Sequence, residues 1–277
     1  MAIEVFAPAK INLTLHVTGQ RPDGYHLLDS LVVFADIGDT IRVVPAAALS
    51  LEIDGPEAVG LAAEPDNLVL RAARLLAPEQ GAAITLTKRL PVASGIGGGS
   101  ADAAATLRAL AQLRGVALPA PEQVLALGAD VPGCLGSAPV RMRGIGERLD
   151  PVPPLPAMDI VLVNPRVAVS TPTVFKSLAT RDNPPMQPVL PHWQDLSDFT
   201  GWLDRQRNDL TAPAIVQQPV IADVLTALRD VGALFAAMSG SGATCFGLFP
   251  PGAMPDRTYP TLSLRHPDWW IAQGKIL

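Results

Sequence analysis

Four glycines in five positions, Gly95, Gly97, Gly98 and Gly99, stand between an alternating segment and an alanine-rich run. No other stretch restricts the folding of this chain as strongly. Glycine lets backbone N–H groups converge on one point and lets a ligand approach with no Cβ in the way. Before the glycines, Ile84-Thr-Leu-Thr87 alternates as a half-buried strand does. After them, Asp102–Leu113 favours helix and stops at Gly115. The helix is expected to start at Ser100, turning its positive end and free N–H groups toward the glycines. Together these features make an anion site, and a polyphosphate is the bulky anion that suits it. A helix end contributes only about 0.3–1 kcal/mol, so several N–H bonds must supply most of the affinity. No Lys-Ser/Thr follows the glycines, which excludes a Walker loop. No G-x-G-x-x-G precedes an acidic residue at the right distance in a βαβ unit, which excludes the dinucleotide fingerprint.

Residues 3–18 carry a period of two: Ile11, Leu13, Leu15 and Val17 alternate with Asn12, Thr14, His16 and Thr18. Lys10 and Asn12 share parity and are expected on the polar face of one strand. Gly19–Gly24 is turn chemistry. A second apolar run, Leu27–Ile37, reaches Gly38-Asp39 before another strand over Thr40–Val44. Residues 45–65 read as edge strand and loop, and Asp66-Asn67 as the cap of a helix through Arg71 to Leu76. A short helix over about 121–128 meets Gly128–Pro132. Four prolines within Pro151–Pro156 cannot be an element interior and mark a boundary, giving domains 1–152 and 153–277. Beyond it come a strand (Asp159–Val163), a helix opening at Thr171-Pro172, a helix over 221–230, and strands Ala233–Met238 and Thr244–Phe249 around Ser239–Gly242. Mixed segments without regular βα alternation favour α+β.

The 21 basic and 26 acidic residues give a net charge of −5 with no Lys/Arg-rich run, which argues against a nucleic-acid surface. No apolar stretch reaches the roughly 18–20 residues that span a bilayer. The opening Met1–Lys10 has neither the charged start nor the apolar core of a signal peptide. Cys134 and Cys245 make no disulfide framework and, with four scattered histidines, no zinc pattern. A soluble, cytoplasmic protein is expected.

Pro91-Val-Ala-Ser-Gly-Ile-Gly-Gly-Gly-Ser-Ala101, continuing to Ala104, resembles the phosphate loop of the galactokinase, homoserine, mevalonate and phosphomevalonate (GHMP) kinase superfamily. Pro8–Leu13 with Arg21–His26 resembles the opening of the branch that phosphorylates a cytidyl diphosphate sugar alcohol. Met238–Phe246 resembles the third glycine motif of that branch, and Gly128–Pro132 and Gly144–Glu147 fall between, in order. The resemblance runs from Pro8 to Trp269-Trp270. It implies a two-domain α+β GHMP kinase fold, with an N-terminal ribosomal-protein-S5-domain-2-like domain, a C-terminal ferredoxin-like domain and the active cleft between them. The implied reaction moves the γ-phosphate of ATP to the 2-hydroxyl of a methylerythritol unit on the non-mevalonate route to isoprenoids.

The resemblance also assigns residues. Lys10 and Asp130 become the catalytic pair, Asp130 accepting the hydroxyl proton while Lys10 holds and polarises the same centre. An ordinary carboxylate is a weak base, so its role is orientation and late proton acceptance, worth about 10²–10⁴-fold. Pro91, Val92, Ala93, Ser94, Gly95, Ile96, Gly97, Gly98, Gly99, Ser100 and Ala101 surround the ATP phosphates, with Ser100 the implied ligand to Mg²⁺. Asn67 and Lys88 fall at the adenine end. Tyr25 and Phe175 are to sandwich the cytosine, since a base stacked on an aromatic face is worth about 1–3 kcal/mol. His26 reads its polar edge, Asn12 contacts the methylerythritol, Thr171 lies on the same substrate side, and Gly240 and Gly242 approach the substrate diphosphate. Ile96 stands where leucine is usual and Ala101 where serine is frequent. Cys134, near Asp130, reads as a small buried hydrophobe. The implied partners are ATP, Mg²⁺ and the cytidyl substrate, with no nucleic acid or membrane, in a monomer or weak homodimer. Two rivals stay open: a homoserine- or mevalonate-type kinase, and a nucleotide-binding protein without catalysis.

Overall fold

The computed structural model describes residues 1–76, 81–252 and 258–277. Among these residues the chain begins with β1 (Ile3–Asn12), β2 (His16–Gln20), β3 (His26–Pro45), β4 (Ser50–Asp54), α1 (Leu68–Leu76), β5 (Ala82–Thr87) and α2 (Gly98–Arg114). It continues through α3 (Pro121–Leu125), α4 (Val131–Gly136), β6 (Val140–Gly144), β7 (Arg148–Pro151), β8 (Asp159–Asn164) and α5 (Thr171–Lys176). The last elements are α6 (Leu196–Leu203), α7 (Thr211–Gln217), α8 (Val220–Asp230), β9 (Phe235–Met238), β10 (Cys245–Phe249), α9 (Thr258–Arg265) and β11 (Trp270–Lys275). They gather into two compact units, one of Met1–Lys10, Gly38–Val92 and Gly97–Ala138, the other of Ile11–Ile37, Ala93–Ile96 and Pro139–Leu277.

In the first unit, β5 pairs antiparallel with Thr40–Pro45 of β3 and parallel with β4, the edge strand expected from residues 45–65. Helix α2 packs against α1 and α4, and its Ala103, Ala104, Ala105, Leu107 and Leu110 are all buried. A helix buried on several sides needs small side chains so that its neighbours can approach, which is why this run is rich in alanine. Gly115, at φ 66°, ends it as expected by donating its N–H to the Ala111 carbonyl. The start differs: Gly97, at φ 64°, is the N-cap, so α2 begins two residues before Ser100 and carries Ser100 within its first turn.

In the second unit a four-stranded antiparallel sheet runs in the order β11-β8-β10-β9, with β8 buried along its whole length. Ile221, Val224 and Leu228 of α8 join Val161, Val163, Ala243 and Phe249 in its core. The first half of β3 pairs antiparallel with β2 and β6, and β6 folds back on β7 around Gly144–Glu147. The Glu147 carboxylate accepts the Ile145 N–H at 2.6 Å and holds that turn.

Several expectations are corrected. The expected strand over 3–18 breaks at Leu13-Thr14, where both N–H groups turn to the Leu31 carbonyl. Its polar face is not solvated either: Asn12, Thr14 and His16 are all buried. Leu27–Ile37 and Thr40–Val44 are one 20-residue strand, β3, and not two. Gly38-Asp39 looks like a turn but Gly38 serves close approach, since a Cβ there would lie 2.3 Å from the Ala7 carbonyl oxygen. The helix over 121–128 is shorter, and α4, β6, β7, α6, α7, α9 and β11 were not anticipated. No helix among the described residues is long and apolar enough to cross a membrane.

Candidate active site

In the first unit, the Lys10 side chain is 5% exposed and donates to Asp130 Oδ1 at 2.7 Å. The alkyl stem of Lys10 lies along Gly97: a Cβ at Gly97 would sit 3.0 Å from Lys10 Cβ and 3.1 Å from Cε. That contact and the left-handed φ both call for glycine. Asp130 stands at the N-cap position of α4 without a side-chain bond to the helix N–H groups, and keeps its side chain 41% exposed. A sheltered cation thus meets an accessible carboxylate beside the glycine loop, and the expected catalytic pair is together although 120 residues separate its members. The carboxylate can orient a hydroxyl and take its proton, and the ammonium can hold the charge that develops.

The loop feeds directly into the first turn of α2, which carries Gly98, Gly99 and Ser100 and no acidic residue. Early helical N–H groups without helical partners and a positive helix end suit an anion there. Ser100 is half-buried, while Ala101 is 1% exposed and faces the core, so a serine at 101 would not present its hydroxyl to a phosphate. Upstream, Pro91 and Ser94 are buried, Val92 and Ala93 exposed, and Ala93 takes φ 50°. Within the second unit, Ala93–Ile96 is seamed to the turn after β9. Thr244 N–H donates to the Ser94 carbonyl at 3.1 Å and Ser239 Oγ to the Gly95 carbonyl at 3.0 Å. A Cβ on Gly95 would lie 2.7 Å from the Gly242 carbonyl oxygen, and one on Gly240 would lie 2.7 Å from that of Gly95. The third glycine motif is therefore backbone packed on backbone. Ile96 is fully buried, as suits an apolar residue of that size.

Asn67 accepts the Val69 N–H at 2.9 Å, capping α1 as expected. Its neighbour Leu68 lies against the loop, 3.6 Å from where a Gly99 Cβ would stand. Lys88 is placed differently from a residue that faces a purine: its ammonium is buried against the carboxylates of Asp39 and Asp102. Burial pushes the Asp102 carboxyl up to about 7, with Lys88 pulling it down and Asp39 adding to the rise. Burial alone would lower the Lys88 ammonium, but the two carboxylates outweigh it and hold it above its usual value. The Cys134 thiol is buried, and that burial pushes it up to about 12, leaving it an inert apolar filler.

In the second unit, Asn12 is buried, donating its side-chain amide to Ser30 Oγ at 2.7 Å and its N–H to Ser239 Oγ at 3.1 Å. The His26 and Phe175 rings stack with centroids 4.5 Å apart and planes 24° apart. Burial lowers the His26 pKa, aided by Arg181, so the neutral ring prevails at neutral pH. Its Nε2 is buried with no hydrogen-bond partner. One helical turn before Phe175, Thr171 Oγ1 lies 2.6 Å from Ser241 Oγ, which sets it beside Gly240 and Gly242. Tyr25 is 58% exposed, so the ring facing Phe175 in this structure is that of His26. Asn208 escaped the sequence reading: its amide donates to the carbonyls of Met238 at 2.8 Å and Gly240 at 2.9 Å, fixing the glycine turn. Ser239, Ser30, Asp39 and Asp102 were missed as well. Ser239 and Asp102 carried a signal, each standing inside one of the glycine motifs, and Ser30 and Asp39 did not.

Residues 67–140 match the GHMP kinases N terminal domain and residues 192–258 the GHMP kinases C terminal domain. With an α+β fold and a glycine loop opening a helix beside a lysine–aspartate pair, these matches define a GHMP kinase. The 4-diphosphocytidyl-2-C-methyl-D-erythritol kinase of Ruegeria pomeroyi is 75% identical over 279 residues, covering 100% of both chains. That of Cereibacter sphaeroides is 59% identical over 275 residues, covering 99% of each. A crystal structure of 4-(cytidine 5'-diphospho)-2C-methyl-D-erythritol kinase superposes with a TM-score of 0.76 at 33% identity, covering 99% of this chain and 98% of that one. A homoserine kinase from Cytophaga hutchinsonii, covering 99% and 95%, gives 0.64 at 20% identity, a likeness of fold alone. The chain belongs to the 4-diphosphocytidyl-2-C-methyl-D-erythritol kinase family.

Proposed function

We propose that this protein transfers the γ-phosphate of ATP to the 2-hydroxyl of 4-diphosphocytidyl-2-C-methyl-D-erythritol, a cytoplasmic step of the non-mevalonate route to isoprenoid precursors. The observation that carries the reading is the Lys10–Asp130 pair at 2.7 Å, with the lysine stem lying on Gly97 of the phosphate loop. Phosphoryl transfer asks a protein mainly for positioning and charge neutralisation. Asp130 orients the hydroxyl and accepts its proton, and Lys10 steadies both that carboxylate and the incoming charge. The N–H groups around Gly97–Ser100 bind the phosphates, and Asn67 and Leu68 border the adenine end. On the acceptor side Asn12 contacts the methylerythritol, Thr171, Gly240 and Gly242 the diphosphate, and His26, Phe175 and Tyr25 the cytosine.

Among the described residues no group of three or more His, Cys, Asp or Glu side chains is placed to hold a metal. Ser100, half-buried in the first turn of α2, offers one hard oxygen ligand to Mg²⁺ carried on the triphosphate. Bound there, Mg²⁺ neutralises phosphate charge. We keep the proposed division into residues 1–152 and 153–277 as the order of the two family domains along the chain. The test is incubation of purified protein with MgATP and the cytidyl substrate: ADP should appear only when both are present. Turnover of homoserine or mevalonate in its place would move the chain to another kinase of the superfamily, and no ADP with any of them would leave a nucleotide-binding protein.

A further inference from the structure

Lys88, Asp39 and Asp102 form a buried cluster with no place in the reaction described above. The side chains are 6%, 0% and 4% exposed, and the Lys88 ammonium donates to Asp39 Oδ2 and to Asp102 Oδ2. The other Asp39 oxygen accepts the backbone N–H groups of Arg89 at 2.5 Å and Leu90 at 2.8 Å, gripping the segment that leads into the loop. Asp102 stands on α2, which the loop opens. Between these holds lies Gly98: a Cβ there would be 3.2 Å from Lys88 Nζ and 3.8 Å from Asp39 Oδ2. Asp102 Oδ1 is buried without a partner, so the helix accepts the cost of an unsatisfied oxygen to keep this carboxylate under the loop. Buried ion pairs are weak evidence for stability, since apolar side chains often do as well. Here the three charged groups join β3, the exit of β5 and the start of α2, the segments whose spacing sets where the Gly98–Ser100 amides point.

We infer that Lys88, braced by Asp39 and Asp102, is a positioning residue that fixes the phosphate-binding turn from beneath, so that nucleotide affinity depends on it and acceptor affinity does not. The inference rests on the nucleotide reading of the glycine loop. An ammonium suits the task because its three donors can hold two carboxylates on different segments at once.

The test uses the full-length protein with Asp102→Ala and Asp102→Asn, reading KM for MgATP, KM for the cytidyl substrate and the dissociation constant of MgATP. Asp102→Ala removes the acceptor that ties α2 to Lys88 and should weaken MgATP about tenfold, as loss of a charged hydrogen bond does, with the acceptor KM within about twofold. Asp102→Asn keeps an oxygen for the ammonium and should return MgATP binding to within about threefold of wild type. Should Asp102→Ala fail to fold, Gly98→Ala presses a methyl on the ammonium and should weaken MgATP in the same selective way. Unchanged MgATP affinity in these variants, whatever their thermal midpoints, overturns the inference, as does an equal rise of both KM values. Wild-type protein that does not bind MgATP overturns the nucleotide reading beneath it.

Discussion

Asp130 is the most accessible member of the charged machinery, and Lys10, its partner, is among the least. This asymmetry suits a carboxylate that must meet a hydroxyl while its counter-charge stays fixed. Asp130→Asn keeps the shape and loses the base, so kcat should fall by about 10²–10⁴-fold with MgATP affinity unchanged, measured by steady-state kinetics and calorimetry. A variant that retains wild-type kcat would remove Asp130 from the chemistry. Tyr25→Ala should raise the cytidyl-substrate KM about tenfold, from the loss of one stacking face, and leave the KM for MgATP alone. An unchanged acceptor KM would leave the cytosine to His26 and Phe175. The loop was legible from its own glycines, whereas Lys10 and Asp130 were legible through the family resemblance of Pro8–Leu13 and Gly128–Pro132. The true surroundings of Lys88 were not: its partners lie 49 and 14 positions away with no local pattern to announce them. Nor was the burial of Asn12 and His16 legible, because period two says which residues share a face and not whether that face meets water.

At the scale of elements, the break between β1 and β2 turns a row of polar side chains into the lining of a buried network. Ser30 Oγ donates to the Thr14 carbonyl, and Thr14 Oγ1 accepts the Leu31 N–H at 2.9 Å. His16 sits on the far side of that break, 2% exposed, with Nδ1 at 3.4 Å from the Pro184 carbonyl and Nε2 unpartnered. Burial lowers its pKa and Arg207 adds to the effect, against the Pro184 carbonyl, Asp209 and Asp29, which raise it. A depressed folded-state value means the neutral ring stabilises the fold above the ordinary value of about 6.5, and that contribution is lost as pH falls through the folded value. The urea midpoint of wild type should therefore drop relative to His16→Gln on going from about pH 7 to pH 5. Parallel pH profiles would show that His16 titrates as it does in the unfolded chain. Helix α2 was legible almost to the residue at its C-terminus, where Gly115 leaves a sequence signal. It was misplaced at its N-terminus, where any of several glycines could take the left-handed turn and the contact with Lys10 selects Gly97.

At the scale of the whole molecule, the α+β class followed from irregular alternation of segments, the superfamily from the glycine loop, and the family from its resemblance at Lys10-Ile-Asn12 and Gly24-Tyr-His26. The path of the chain through its two compact units was hidden. Neither hydropathy nor turn chemistry shows that β3 gives its first half to one and its second half to the other. The 192–203 region was equally opaque, since Trp193, Phe199 and Trp202 make an aromatic cluster that no short periodicity predicts. What the molecule is proposed to do is place one phosphate on one hydroxyl, and phosphorus NMR of the product reads that outcome directly. The 2-carbon of a 2-C-methyl sugar alcohol bears no hydrogen, so the account predicts a new monoester resonance without three-bond proton splitting, beside an intact diphosphate pair. A monoester signal split by carbon-bound protons, or ADP formed with inorganic phosphate alone, would contradict it.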